Sequence, residues 1–517
     1  LDFAMNLNLD RRTFLVGSSA LTLLPFARSA MAATRTSPIV SVDKDIGNLD
    51  PGNRVGDVED NIILAVCQTL ARFNPGVLTW SNDAAKSITQ VSDTEFDFEL
   101  NPGQMFSGGY GEMTAEDIKF SYDRFIHGDK NGKKLAYADD MEALDRVEVT
   151  GKYTGKLVLK HPSPALWLIG LCDASGGILS KKASEELGDK IATTLIGSGP
   201  FILKEWRPKE QFILEANPQY KGKAKACFPQ IVAKIIPEDK TAFLSYQARE
   251  LDFTAFDPDQ LKEAKTLPDT KVIDLDGIDY TWIGINVEKG ALADLKVRQA
   301  IRYAIDVDAI IQGAYAGAVS RAKTLLAPGL LGHWADAPLY TRDVDKAKAL
   351  LAASGKTGLS FSFTCMNDAV SLATAQIAQA NLADVGITLT IKALDSGAYW
   401  ALGDNDQSKD LELSLIPYTS KFDPSFQTQW FLSSQVGLWN WQRWKSPDFD
   451  RLNKEGLSTM DTKKRTAIYI EMQKLLDQSA SCIWITHGRN FFVDADWLKP
   501  CLLPNGKNWQ FAYFDKA

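Results

Sequence analysis

Four histidines, His127, His161, His333 and His487, are the chain's candidate general bases and imidazole ligands. They lie far apart and lack the H-E-x-x-H or any other metal-ligand spacing, so no metal site is expected. Six cysteines (Cys67, Cys172, Cys227, Cys365, Cys482 and Cys501) include no C-x-x-C, which argues against a zinc or redox centre. Cys482 and Cys501 are the nearest pair; a bridge between them and buried free thiols are both compatible with the spacing. No G-x-S-x-G elbow and no phosphate-binding loop occur. Gly197-Ser198-Gly199-Pro200 lacks the downstream Lys-Ser/Thr and reads as a turn before the strand Phe201-Ile202-Leu203. Asp274 and Asp276 read as solvated acids on a loop. No motif points to catalysis, and no cofactor is expected.

Aromatic residues are the richer signal: 13 Trp, 14 Tyr and 25 Phe. Trp439-Asn440-Trp441 with nearby Trp444 forms one group, and Tyr399-Trp400 another. Trp and Tyr combine large apolar area with a polar tip, which suits the wall of a ligand cleft, although core packing uses the same area.

The elements that must position these residues are short strands alternating with helices. Phe96, Phe98 and Leu100 alternate before the turn Asn101-Pro102-Gly103. Thr114 caps a helix running through Phe125, with acids in its first turn. Ile283, Ile285 and Val287 share one strand face, leaving Trp282, Gly284 and Asn286 on the other. Asp294 and Asp343 start further helices, the second stopped at Gly355. Across 359–393 two alternating runs flank the helix Leu372–Val385, a βαβ crossover that implies a parallel strand pair. A last long helix is expected from Asp461 to Gln478. The fold class expected is α/β.

At 517 residues the chain has room for two to four domains. Its formal charge of −8 gives no electrostatic footprint for nucleic acid or anionic lipid. No apolar run after residue 35 is long enough to span a bilayer, so a soluble protein is expected, not inserted in a membrane. Arg11-Arg12, an apolar stretch from Phe14 to Phe26, and Ala30-Met31-Ala32 together read as a twin-arginine export signal over 1–32, cleaved after Ala32. The residue after that site, Ala33, is not a lipidatable cysteine. A protein free in the periplasm is therefore expected.

Five blocks then carry a resemblance. They are Phe106-Ser107-Gly108-Gly109 running into Met113-Thr114-Ala115-Glu116-Asp117-Ile118-Lys119-Phe120-Ser121; Leu49-Asp50-Pro51; Gly199-Pro200-Phe201 through Lys204-Glu205-Trp206; Ile285-Asn286 followed by Val297-Arg298-Gln299-Ala300-Ile301; and Ser446-Pro447-Asp448-Phe449-Asp450. In order and spacing the chain resembles the extracellular solute-binding proteins of the oligopeptide, dipeptide and nickel class (family 5) that serve ABC importers. The resemblance implies a two-lobed periplasmic-binding-protein (Venus-flytrap) fold with an extra domain in lobe one. Lobe I would comprise 33–76, 179–281 and 482–517, the extra domain 77–178, and lobe II 282–481. The strand 281–287 would be a hinge connection, its Trp282 and Asn286 face lining the cleft. Closure of hinged lobes on a small-molecule solute, then recognition of the closed form by the permease transmembrane subunits, is the implied mechanism for a monomeric, non-enzymatic receptor.

The chain departs from that pattern where peptide-binding members place an Asp four residues before a Pro, to hold the ligand's α-amine. In Pro417-Tyr418-Thr419-Ser420-Lys421-Phe422-Asp423-Pro424 that position is Ser420, which cannot supply the ion pair. Ser414 stands where an Arg can serve a ligand carboxylate, and Asp423 remains as a carboxylate that could reach inward. Arg54 and Lys421 would favour an acidic or phosphorylated solute. Aromatic platforms with Asn and Ser resemble sugar recognition, and His487 has no second histidine nearby to hold nickel. The expected ligand-binding residues are Arg54, Trp282, Tyr418, Ser420, Trp439, Asn440 and Trp441. An opine-like or sugar-containing solute is expected, with a di- or oligopeptide as the alternative. An exported hydrolase and a broad chaperone-like peptide receptor are the competing classes.

Overall fold

The structure, a computed structural model, describes residues 36–129, 131–403 and 406–517; the export signal expected over 1–32 lies outside the described residues. A seven-stranded sheet forms lobe I, in the order Phe201–Arg207, Gln211–Ala216, Gln230–Ile235, Ile39–Val42, Phe253–Ala255, Arg489–Ala495, Thr270–Asp276. Ile39–Val42 is parallel to both its neighbours, and the remaining pairs are antiparallel. Alternation sets its inward face: Val40, Phe212, Leu214, Ile231 and Phe253 are all buried in one core.

The extra domain is a four-stranded antiparallel sheet, Ala85–Gln90, Glu95–Leu100, Thr154–Leu159 and Leu144–Val149, with the helix Ala115–His127 packed on it. Thr114 is the N-cap of that helix as expected, in a capping box with Asp117, whose carboxylate accepts the Thr114 N–H at 2.8 Å.

Lobe II holds a five-stranded sheet in the order Thr388–Leu394, Ser360–Met366, Leu413–Tyr418, Tyr280–Ile285, Cys482–Thr486. Ser360–Met366 and Thr388–Leu394 are parallel, joined through the helix Ala369–Ala383, which is the crossover read from the sequence. The helices capped by Asp294, Asp343 and Asp461 also form, and Gly355 ends the second at φ 67°.

Two limits need correction: Tyr280 and Thr281, expected in lobe I, already pair in the lobe II sheet. The strand Cys482–Thr486 pairs with Tyr280–Ile285 and so belongs to lobe II, not to lobe I from residue 482. The chain re-enters lobe I only after His487 and Gly488, with Arg489–Ala495. The lobes are thus joined by two adjacent crossings, and the Gly277 N–H donates to the Gly488 carbonyl at 3.1 Å where they meet. All six cysteines are free thiols, so no bridge joins Cys482 to Cys501: one sits in the lobe II sheet, the other in the C-terminal segment of lobe I.

Candidate functional site

The strand Leu413–Tyr418 ends at the junction of the lobes and delivers Tyr418, Thr419, Ser420 and Lys421 in succession. Two contacts of Asp423 fix that loop. Asp423 caps the short helix Pro424–Thr428 through the Ser425 N–H, and Pro424 supplies a preset φ at its first position. The Asp423 carboxylate also takes both guanidinium arms of Arg465, at 2.7 and 2.8 Å, from the helix Thr462–Gln478. The pair is fully buried and bidentate, which makes it a peg for the loop. Asp423 therefore faces lobe II's interior and does not reach toward a solute.

Helical geometry brings Phe426 and Trp430 onto one side, four residues apart, with ring centroids at 5.7 Å. Trp400 comes from the helix Ser396–Trp400, capped by Asp395, and Trp439 from the turn beyond Gly437. With Tyr418 these rings line a cavity of about 260 Å³. Their centroids are spaced between 6.1 and 6.4 Å around it: Trp400–Tyr418, Tyr418–Trp430, Trp430–Trp439 and Trp400–Trp439. The Tyr418 hydroxyl donates to the Trp439 carbonyl at 2.8 Å, so its polar tip is engaged and its ring faces the space. Such a cavity accepts a flat or branched apolar group by area burial and ring contact.

Beside this cavity, residues of lobe I, the extra domain and lobe II form one buried charge cluster. Arg54, from the loop after Leu49-Asp50-Pro51, pairs with Asp60, and lies 3.3 Å from Asp140 and 3.7 Å from Asp173. Its guanidinium also donates to Ser175 Oγ at 2.8 Å and stacks 3.7 Å from the centre of the Tyr137 ring. Lys421 reaches across from lobe II to Asp140 Oδ1 at 2.5 Å. Burial pushes the Asp60 carboxyl up to about 7 despite the opposing charge of Arg54, and it raises Asp173 as well. Two cations thus face three carboxylates. Next to them Phe73 of lobe I meets Phe422 of lobe II at 5.3 Å, inside a core that spans both lobes.

The residues expected from the sequence separate into two groups. Tyr418 and Trp439 line the aromatic cavity; Arg54 lies in the charge cluster, buried rather than facing solvent. Trp282, Asn440 and Trp441 lie in the core. Trp282 stacks on Tyr280 at 5.2 Å, the Asn440 amide donates to the carbonyls of Phe431, Leu432 and Trp444, and the Trp441 indole donates to Leu438. Asn286 is buried too, its amide held by the Leu411 carbonyl at 2.8 Å. The Ser420 N–H donates to Asp279 at 2.8 Å, and its hydroxyl accepts from Gln427. Sequence reasoning missed Phe426, Trp430, Tyr137, Asp60, Asp140 and Asp173, and noted Trp400 without placing it in the site. The i, i+4 spacing of Phe426 and Trp430 is the signal that was present; the aspartates come from three separate segments and carry none.

Among the described residues no group of three or more His, Cys, Asp and Glu is placed to hold a metal ion, and no helix is long and apolar enough to cross a membrane. Residues 79–438 match the model of the bacterial extracellular solute-binding proteins, family 5 (middle). The chain is 25% identical over 499 residues to the probable D,D-dipeptide-binding periplasmic protein DdpA of Escherichia coli (strain K12), covering 93% of this chain and 94% of that one. It is 26% identical over 400 residues to the dipeptide-binding protein of the same organism, 74% of each. Among solved structures, the periplasmic binding protein DppA of Helicobacter pylori, in complex with the peptide STSA, superposes with a TM-score of 0.74 at 22% identity, over 94% of this chain and 99% of that one.

Proposed function

The chain belongs to the bacterial extracellular solute-binding proteins of family 5, and on that premise we propose that its lobes close on a short peptide carrying a bulky apolar side chain. The coarser role is that of a periplasmic solute-binding receptor of an ABC importer, with the two-lobed fold of its family. The observation that carries the finer reading is the adjacency of the aromatic cavity to the mixed-charge cluster: Lys421 Nζ lies 5.6 Å from the centre of the Phe426 ring, which itself lines the cavity. Main-chain charges and an apolar side chain are what a short peptide offers to such a pair of surfaces.

The peptide reading replaces the sugar- or opine-type solute expected from the sequence. That expectation used Asn440 and Ser420 to read hydroxyls, and both are engaged by protein partners. The names of the E. coli relatives favour the peptide as well. A thermal-shift screen of the protein from Ala33 onward tests the choice against dipeptides of L- and D-residues, opines and oligosaccharides. A ligand at 100 times its Kd adds about 2.7 kcal/mol, enough to raise the Tm by several degrees. Shifts with peptides bearing Phe, Trp or Leu are expected; shifts confined to sugars or opines would overturn the proposal.

A further inference from the structure

The surroundings of Lys421 Nζ are those of a bound ammonium ion. Asp140 Oδ1 accepts from it at 2.5 Å, the Tyr137 ring centre lies 5.4 Å away and that of Phe426 5.6 Å. One carboxylate oxygen with two aromatic rings beside it is a recurrent way to hold a compact cation. The carboxylate is also oriented for the task. Asp140 Oδ2 accepts from Ser175 Oγ at 2.7 Å and from Arg54 at 3.3 Å, which turns Oδ1 toward the lysine. Asp140 and Tyr137 are set in the turn spanning 137–141 of the extra domain, whereas Lys421 arrives from the loop of lobe II.

We propose that Asp140, flanked by Tyr137 and Phe426, is an amine receptor that Lys421 occupies as an internal stand-in, and that the solute's free amine takes the lysine's place. The receptor is thereby supplied by the extra domain, across the junction from Ser420, the position that lacks a carboxylate. Lys421, displaced, would meet the solute's carboxylate. The inference rests on the peptide reading for the identity of the solute, but not for the existence of the amine receptor.

Two experiments separate these claims. In Lys421→Ala the receptor is emptied, and n-propylammonium, which reproduces the lysine side chain beyond the Cβ that alanine keeps, should restore the lost Tm, while n-propanol should not. The wild type, where the tethered lysine competes, should respond more weakly, and Lys421→Ala/Asp140→Asn should not respond. Absence of rescue in Lys421→Ala, or equal rescue in the double variant, overturns the receptor. Calorimetry with Ala-Phe and N-acetyl-Ala-Phe then tests the solute: acetylation, or Asp140→Asn, should each weaken binding about tenfold or more. Equal binding of both peptides overturns the displacement step. If no dipeptide binds the wild type while rescue succeeds, the peptide reading fails and the amine receptor stands.

Discussion

Replacing Trp439 by Ala removes one wall of the aromatic cavity, and the expected loss in solute affinity is about tenfold to a hundredfold. Because the ring is only partly buried, its removal should lower the Tm less than removal of the fully buried Trp441. Calorimetry and melting curves on both variants check the contrast. A second expectation concerns Asp60. Its carboxyl titrates up to about 7 in the folded protein, and roughly 3.9 in the unfolded chain. Between those values the folded state keeps a proton that the unfolded state has released, so the contribution of Asp60 to stability falls as pH rises through that window and is level above it. Asp173, whose carboxyl is also raised, acts in the same direction. Arg54, Asp140, Asp173, Lys421 and Tyr137 are the charged and titratable groups of the cluster around it. Asp60→Asn should flatten the fall of the urea midpoint between pH 4 and pH 7 relative to wild type, and an unchanged slope would refute the assignment.

The loop that carries Tyr418, Ser420 and Lys421 depends on the Asp423–Arg465 pair. Removing one partner leaves the other charge buried, so Arg465→Ala should cost about 3–5 kcal/mol, read as a lower urea midpoint. Arg465→Lys, which keeps the charge but loses the two-armed geometry, should recover only part of it. The same region shows what the sequence could and could not disclose. Helices announced themselves through their caps: Thr114, Asp294, Asp343 and Asp461 each precede a helix. The parallel pair around Ala369–Ala383 was legible because its two strands alternate and the helix between them is long enough to cross back. Alternation failed at Trp282. Both faces of Tyr280–Ile285 are covered, Ile283 and Ile285 by one core and Tyr280 and Trp282 by another, so a face opposite the isoleucines need not face a cleft. The limit at 482 slipped for a related reason: Cys482–Thr486 is buried along its whole length, and its pattern does not say which sheet it joins. The charge cluster was out of reach because Asp60, Asp140 and Asp173 are each ordinary in sequence and meet only where lobe I and the extra domain do.

The backbone passes between the lobes in two segments, 277–279 and 487–488, which touch through the Gly277–Gly488 hydrogen bond. A Cβ on Gly277 would lie 2.6 Å from the His487 carbonyl oxygen, and Gly488 holds φ at +76°. Gly277→Ala should therefore force the crossings apart, weakening solute binding with little change in the circular dichroism of either lobe. Unchanged affinity would mean that the crossings tolerate the spread. The two crossings also order the assembly of the molecule in time. Lobe II is drawn from one continuous stretch and can complete its sheet as soon as Cys482–Thr486 has left the ribosome. Lobe I cannot, because Arg489–Ala495, which follows all of lobe II in sequence, is the strand inserted between Phe253–Ala255 and Thr270–Asp276. Until Arg489–Ala495 has been made, those two strands present bare edges, ready to pair with another nascent copy. A chain truncated before Arg489 should accordingly yield a folded lobe II attached to an aggregating lobe I, and a cell making this protein must shelter the unfinished first lobe longer than the second.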